Sequence, residues 1–231
     1  MARLVLARAL ALCALIPGPA RADSCAVPLA DEAIALIVEF EVSGQGAYTR
    51  RSQWPIWPGA ASGVTIGIGY DLGHQRAATI RQDWHAHAQR ERLAGVAGIT
   101  GQAARQVLAT VADIVVPWDH AIDVFRGVSL VEYYRRARRA FGPAHFDAAP
   151  PLVRGALVSV VYNRGASMTG PARVEMRAIR DRCLPAGDAH CVAEQLRDMT
   201  RLWRGSSIEA GMERRRYAEA KMAAGGTPWC G

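Results

Sequence analysis

The chain has 231 residues, enough for one domain with a sizeable hydrophobic core. Its formal net charge is +7, and nearly all of its basic residues are arginine, which favours an acidic polymer as partner. The sequence has no helix-turn-helix and no zinc-finger spacing, which argues against nucleic acid. It also lacks CxxC and CxxH spacing, so we expect neither a metal nor another cofactor.

Residues 1–22 have the pattern of a secretory signal peptide. Basic residues precede and enter an apolar run over 4–16. The run is followed by a Pro-Gly-Pro break and then by small residues around a cleavage site after Ala22. The run is short for a membrane span, so we expect cleavage after Ala22, export to the periplasm or beyond, and no stable membrane anchor. A signal-anchor that is later released is the alternative. Without the three arginines of this segment the net charge is 7 − 3 = +4.

Four cysteines remain after this cleavage, and they allow two disulfides in an oxidising compartment. We predict Cys183–Cys191, which closes a short loop, and Cys25–Cys230, which ties together chain ends that often lie close in compact domains. Free buried thiols are the alternative. Residues 23–231 contain no long linker or repeat, so we expect them to form a single domain.

The predicted elements are mostly helical. A helix over 30–43 precedes a loop over 45–63 that is rich in Gly, Pro and Trp. Further helices are predicted over 76–93, 101–114, 118–126, 129–140, 150–163, 171–182, 188–199 and 208–223. The fold class that follows is α+β, mostly α.

The stretch SGVTIGIGYDLG, residues 62–73, is the predicted exception to the helical pattern. Val64, Ile66 and Ile68 alternate with small or polar residues, which indicates a strand with period two. Gly67 and Gly69 indicate a tight hairpin whose backbone leaves room for a ligand.

Glu41 is the first candidate for chemistry. No Asp or Glu occurs between Glu41 and Asp71, so we expect Glu41 to lie alone at the end of an apolar helix. Apolar surroundings favour the protonated form of a carboxyl group, and a protonated glutamic acid is what general acid catalysis requires. An ordinary residue at a helix end is the alternative, and Glu39 competes for the same role.

Three blocks of sequence resemble the phage-type lysozymes, glycoside hydrolase family 24. EVSGQGAY from Glu41, followed by TIGIGYDLG, is similar to that family's Glu-Gly-Tyr helix end and its T-I-G-x-G-H hairpin. ALVSVVYNRGASM, residues 156–168, is similar to the family's A-L-x-S-F-x-Y-N-x-G segment. LWRGSSIEAGMERRRYAEAKM, residues 202–222, is similar to its segment that ends in R-R-x-x-E.

The resemblance implies a lysozyme-like fold with a short hairpin beside a catalytic cleft, and it implies roles for matching residues. Glu41 matches the catalytic acid, and Thr65 matches a threonine that helps to hold the attacking water. The residues implied to contact substrate are Tyr48, Gly67, Gly69, Tyr70 (where the family usually has His) and Asn163, with Gly165 and Trp203 near or supporting the cleft.

The sequence departs from the family at its catalytic Asp, where Arg50 stands. Asp71 is the nearest substitute carboxylate, and bracing the hairpin turn is its alternative role. Trp54 and Trp57 lie in the longer loop that follows Arg50, where they either stack on sugar rings or cover the core, and we expect packing for at least one of them.

We therefore expect an exported, monomeric muramidase that hydrolyses the β-1,4 bond between N-acetylmuramic acid and N-acetylglucosamine in peptidoglycan glycan strands. The missing family Asp keeps two alternatives open. A lytic transglycosylase needs one Glu and gives anhydro-muramic ends, and a non-catalytic scaffold binds the wall without turnover. Retention of Thr65 favours a reaction that uses water.

Overall fold

The computed structural model describes residues 29–226 and 229. The protein is 67% helical with a small antiparallel sheet of two strands, which confirms the α+β, mostly α, class. The predicted signal peptide and the predicted Cys25–Cys230 bond lie outside the described residues. Within the described part of the chain, no helix combines the length and apolar character needed to cross a bilayer.

The described residues begin with two helices, continue through the hairpin, and end in a long series of helices. The elements are α1 (Asp31–Val42), α2 (Gly44–Arg51), β1 (Thr65–Ile66), β2 (Tyr70–Asp71), α3 (Ala77–Asp83), α4 (Arg90–Ala94), α5 (Gly101–Val107), α6 (Trp118–Val124), α7 (Leu130–Phe141), α8 (Pro143–Ala148), α9 (Pro151–Arg164), α10 (Val174–Ala178), α11 (Ala189–Asp198) and α12 (Glu209–Ala224). A π-helical turn, Phe125–Ser129, joins α6 to α7.

Helix α9 is the centre of the core. Every residue from Val153 to Val161 is buried, because this helix packs against α1, α7 and α12 on different sides. A helix that is apolar all round is typical of a position surrounded by other elements. Since α1 and α12 both pack on α9, residues at the end of α1 come close to residues of α12.

The hairpin confirms the predicted alternation. Thr65 pairs with Asp71 and Ile66 with Tyr70, so Ile66 and Tyr70 face the core while Thr65 and Asp71 lie on the opposite face. Ile68, at the tip, is also buried. The hairpin is thus anchored in the core by one face and leaves Thr65 on the other.

Two local expectations are wrong. The predicted loop over 45–63 begins with α2, because the Tyr48 ring is fully buried there and its hydroxyl donates to the carbonyl of Val116. The predicted helix over 76–93 is interrupted between α3 and α4 by turns. In that interruption His87 is buried, with Nε2 3.0 Å from the Val115 carbonyl oxygen.

The predicted Cys183–Cys191 disulfide is confirmed, with a Cα–Cα distance of 5.3 Å. Asp188 caps α11 as its residue type predicts, because its side chain accepts a hydrogen bond from the Cys191 N–H at 2.9 Å. The bond and the cap therefore fix the same short connection between the π-helical turn Ile179–Cys183 and α11.

Helices α1 and α9 pack closely at Gly155. A Cβ on Gly155 of α9 would lie 2.2 Å from the Cβ of Ala33 on α1, a separation that real atoms do not adopt. Glycine at 155 is therefore required for α1 to pack this closely on α9. Because Glu41 is at the far end of α1, this contact also sets where Glu41 lies.

We predict that Gly155→Ala destabilises the protein by about 1–3 kcal/mol, because the added methyl must push α1 away from α9. The loss is expected even though alanine favours a helix over glycine by about 1 kcal/mol. Urea denaturation monitored by circular dichroism measures the change.

Gly211→Ala is the matched control. Gly211 also lies in a helix, α12, but a Cβ there meets nothing within 4 Å. This variant should be neutral or more stable by up to about 1 kcal/mol. Equal stability of the two variants would contradict the close α1–α9 contact.

Candidate active site

Glu41 lies in the last turn of α1, which ends at a sharp turn. Ser43 adopts a left-handed conformation with φ of 56°, and its N–H bonds to the Glu39 carbonyl at 2.9 Å. Gly44 follows with φ of 76° and begins α2. This Ser-Gly pair explains how the EVSG sequence ends one helix and starts the next while Glu41 stays at the junction.

Glu41 has a charged partner from the other end of the chain. Arg215 Nη1 on α12 donates to Glu41 Oε1 at 2.8 Å, across 174 positions of sequence. The Arg215 side chain is 5% exposed and that of Glu41 is 25% exposed. The expectation that Glu41 lies alone in apolar surroundings is therefore wrong, because α12 brings a guanidinium to it.

Arg215 belongs to a buried network centred on Glu219. The fully buried Glu219 carboxylate accepts from Ser159 Oγ at 2.5 Å and from Arg215 Nε at 3.2 Å. Arg216, also fully buried, donates through Nη2 to Glu219 Oε1 at 3.1 Å. Together with Glu41 the cluster holds two arginines and two glutamates, so its formal charges balance.

The Arg-Arg-Arg run at 214–216 is thus not the solvated helix face that such a run usually forms. Arg215 and Arg216 are buried, and only Arg214 is exposed. Buried cations require anionic or polar partners, and here Glu41, Glu219 and neighbouring groups supply them.

The same network reaches residues that the resemblance placed near the cleft. Arg216 Nη2 donates to Asn163 Oδ1 at 3.1 Å, and its guanidinium lies 5.7 Å from the centre of the Trp203 ring. Arg164 approaches the Trp203 ring as well, at 5.3 Å. Asn163 and Trp203 are therefore joined to Glu41 through Arg216, Glu219 and Arg215.

Tyr162 of α9 links the hairpin to the surroundings of Glu41. Its hydroxyl donates to the carbonyl of Ile68 at 3.0 Å. A Cβ on Gly69 would lie 2.7 Å from that hydroxyl, and Gly69 has φ of +74°, so glycine is needed at this position. Burial raises the pKa of Tyr162, and the negative charge of Glu41 raises it further. Tyr162 was not among the predicted site residues, although the 156–168 block contains it.

The Thr65 hydroxyl makes few hydrogen bonds within the protein. Thr65 is partly buried, and its hydroxyl has one long contact, 3.5 Å to the Gly63 carbonyl oxygen. On one side its backbone pairs with Asp71, and on the other side it forms an isolated bridge with Ile56. The hydroxyl is therefore held on a well-fixed backbone and can still hydrogen-bond to water.

Asp71 is engaged by the backbone of the hairpin. Its Oδ1 accepts from the Gly73 N–H at 2.9 Å and from the Gly63 N–H at 3.0 Å, and its Oδ2 lies 3.1 Å from the same Gly63 nitrogen. A Cβ on Gly63 would lie 2.4 Å from Asp71 Oδ1, so this contact is tight. These bonds match the bracing role that the sequence left open for Asp71.

Tyr48 and Tyr70 require a correction as predicted substrate contacts. Tyr48 is fully buried, and Tyr70 is 5% exposed with its hydroxyl donating to Asp83 Oδ2 at 2.6 Å. Burial is the main reason that the pKa of each phenol is raised. Both rings pack in the core, so neither offers a surface to a ligand. Gly67 is partly exposed and Gly69 is exposed.

The tryptophans of the additional loop have different environments. Trp57 packs against the core, and its indole N–H donates to the Ser62 carbonyl at 3.1 Å, which confirms packing for one of them. Trp54 is 40% exposed. Arg50 lies exposed in the last turn of α2. In the residues that the structure describes, no three His, Cys, Asp or Glu side chains are grouped to hold a metal.

A family described as a domain of unknown function, DUF8812, matches residues 37–125 of the chain. The matched segment includes Glu41 and the hairpin, and it ends before α9 and α12, which supply Tyr162 and Arg215. No curated protein matches the chain.

We predict that Glu219→Gln destabilises the protein by about 3–5 kcal/mol. Removing the charge leaves Arg215 and Arg216 buried with one anion fewer, and unpaired buried charges are costly. Urea denaturation measures the loss.

Glu213→Gln, on the same helix, is the control. Glu213 is exposed, and we expect a change within about 0.5 kcal/mol. If Glu219→Gln behaved like Glu213→Gln, the buried network would not contribute to stability as described.

Proposed function

We propose that this protein is an exported muramidase that cleaves the β-1,4 bond between N-acetylmuramic acid and N-acetylglucosamine, with Glu41 as general acid. The observation that supports the proposal is a convergence around Glu41. Its partner Arg215 comes from the third block that resembles the phage-type lysozymes. Tyr162, from the second block, bonds to the hairpin that follows Glu41 in the first.

The two oxygens of Glu41 have different environments. Oε1 accepts from Arg215, whereas Oε2 has no hydrogen-bond partner among the described residues. Oε2 is therefore the oxygen that would carry the proton to the leaving glycosidic oxygen. Protonation of Glu41 still leaves Arg215 paired with Glu219, so the guanidinium keeps an anion.

Thr65 supports hydrolysis. Its hydroxyl is free to orient a water, and a water that attacks the sugar carbon would give products with reducing muramic ends. Arg50 stands at the family's Asp position and stays protonated, so it does not act as a base. Without that second carboxylate we expect slower turnover than in family members that retain it.

Lytic transglycosylase activity is the second candidate. The observation in its favour is that Asp71 is bound by two backbone N–H groups, which leaves Glu41 without an evident carboxylate partner. In that reaction the 6-hydroxyl of the muramic acid attacks its own C1, and the product carries an anhydro ring.

We predict that Glu41→Gln lowers cleavage of purified peptidoglycan by about 10²–10⁴-fold, because glutamine cannot donate the proton. Its carbonyl can still accept the hydrogen bond from Arg215, so folding and wall binding should persist. Release of soluble muropeptides measures the rate, and their masses identify the reaction. Hydrolysis adds one water per cut, whereas anhydro ends would identify a transglycosylase.

Glu39→Gln is the control for this experiment. Glu39 lies two residues earlier on α1 and is exposed, so its loss should leave the rate nearly unchanged. If Glu39→Gln abolished cleavage instead, the assignment of the acid would be wrong. A folded wild-type protein that binds the wall and releases nothing would support the non-catalytic scaffold.

A further inference from the structure

A surface cavity of about 450 Å³ lies at the end of α11, between residues of α10 and α12. Three arginines line it: Arg197 in the last turn of α11, Arg201 in the 3₁₀ turn Met199–Trp203, and Arg204 directly after that turn. None of the residues of the buried Glu41 network belongs to its lining.

The cavity wall carries hydrogen-bond donors that solvent reaches. Arg197 and Arg204 are exposed, and the Arg201 side chain is 45% exposed. Gln195 and Thr200 add an amide and a hydroxyl to the lining. Among the residues that the structure describes, the Arg197 and Arg204 guanidiniums have no hydrogen-bond or charged partner. Both cations are therefore accessible and available to a ligand.

The charges of the wall favour an anion. Arg201 pairs with the carboxylate of Glu175, whose side chain is only 5% exposed, so this carboxylate presents little surface to the cavity. Within the described lining, Asp198 is the one other carboxylate, against the two unpaired cations Arg197 and Arg204. Three arginines and two carboxylates give the lining a formal charge of 3 − 2 = +1.

Further arginines lie close to the cavity. Arg177, Arg201 and Arg164 donate to three successive backbone carbonyls, those of residues 170–172. In the described part of the chain, the only carboxylate that pairs with any of these three arginines is Glu175, through Arg201. The surroundings of the cavity therefore add positive charge to that of its lining.

The crowding of cations affects Arg164. Burial, followed by the nearby charges of Arg173 and Arg216, lowers the pKa of Arg164 to about 10. The charge of Arg201 lowers this pKa as well, and Glu175 only partly opposes the shift. Cations that lower one another's pKa are stabilised by an anion that binds near them.

The sequence concentrates its positive charge in the part of the chain that builds this cavity. Residues 164–221 contain 12 basic and 8 acidic side chains, a net charge of 12 − 8 = +4, whereas residues 23–163 contain 13 of each. The whole net charge of the predicted mature chain therefore lies in the segment that includes the cavity.

The donors and the apolar part of the wall restrict the anion. A phosphate group offers three or more acceptor oxygens and up to two negative charges, which suits several guanidinium donors better than a single carboxylate does. Val174 and Tyr217, also in the lining, are 48% and 49% exposed. Ligand pockets combine apolar walls with a few polar groups that fix orientation, so these two side chains suit the organic part of a phosphate ester.

We propose that this cavity binds a phosphate group, with Arg197 and Arg204 donating to its oxygens and with Val174 and Tyr217 contacting the organic part of a phosphate ester. A free phosphate ion has the same anionic chemistry, and the test below separates the two sources. The proposal concerns binding and does not rest on the muramidase proposal.

The test is a titration of the full protein labelled with ¹⁵N, with sodium chloride holding the ionic strength constant. The probes are phenyl phosphate and inorganic phosphate, and the readout is the backbone amide signals of Thr200 and Arg204. These signals should shift with a dissociation constant on the order of 1 mM for phenyl phosphate. Inorganic phosphate should bind about tenfold more weakly, because it makes no apolar contact. Equal affinities would instead identify free phosphate as the source.

Three substitutions of exposed residues test the roles of the charges. Arg197→Gln and Arg204→Gln should each weaken phenyl phosphate binding by about tenfold, because each removes a charged hydrogen-bond donor. Asp198→Asn should strengthen binding by about twofold, because it removes a like charge. Arg139→Gln is the matched control. Arg139 is an exposed arginine of α7 outside the lining, so its loss should leave the dissociation constant unchanged.

Four results would overturn the proposal. The first is the absence of any shift at phosphate concentrations on the order of 50 mM. The second is acetate binding as tightly as phosphate, and the third is weaker binding in Asp198→Asn, which would mean that the wall attracts cations. The fourth is an equal loss in Arg139→Gln and Arg204→Gln, which would indicate attraction by net charge alone. Because the readout is binding, a protein without peptidoglycan cleavage would give the same answer.

Discussion

The ion pair between Glu41 and Arg215 is the interaction on which the arrangement of the candidate site depends. Two arginines are buried in the helical core, and burial of a cation is unfavourable unless an anion compensates it. Glu219 neutralises one charge, and Glu41 supplies the other from the opposite end of the chain. The end of α1 must therefore lie against α12. Both helices also pack on α9.

The hairpin is held near this ion pair by a hydrogen bond and by close packing, and not by an ion pair of its own. Tyr162 donates to the carbonyl at the hairpin tip, and Gly69 leaves the space that this hydroxyl needs. Ile66 and Ile68 anchor the other face in the core. The Thr65 hydroxyl is therefore nearly free of partners and is carried by a rigid backbone. A site that orients water requires this combination.

Local sequence patterns predicted a large part of the fold. The period-two alternation from Val64 identified the hairpin, and the spacing of Cys183 and Cys191 identified a disulfide. Each of these features depends on residues close together in sequence. The short helix α2 was missed, because its glycines indicate a loop and its burial comes from contact of Tyr48 with the distant Val116.

The site itself was predicted less completely, because its contacts join distant segments. Glu41 was identified from its position at a helix end and from the resemblance to phage-type lysozymes, but its partner lies 174 residues away. A run of three arginines ordinarily indicates a solvated surface, and nothing local in the run indicates that Arg215 and Arg216 are buried. The R-R-x-x-E spacing was the available signal, since residues at i, i+3 and i+4 share one helix face.

A double-mutant cycle on Glu41 and Arg215 tests the central interaction most directly. The free energies of unfolding of wild type, Glu41→Met, Arg215→Met and the double variant give the coupling between the two side chains, because methionine at either position makes no hydrogen bond to the partner. For a charged hydrogen-bonded pair of which Arg215 is buried and Glu41 is partly exposed, we expect a coupling of about 1.5–3 kcal/mol. A coupling indistinguishable from zero would contradict the account, because it would mean that Arg215 does not hold Glu41 in place.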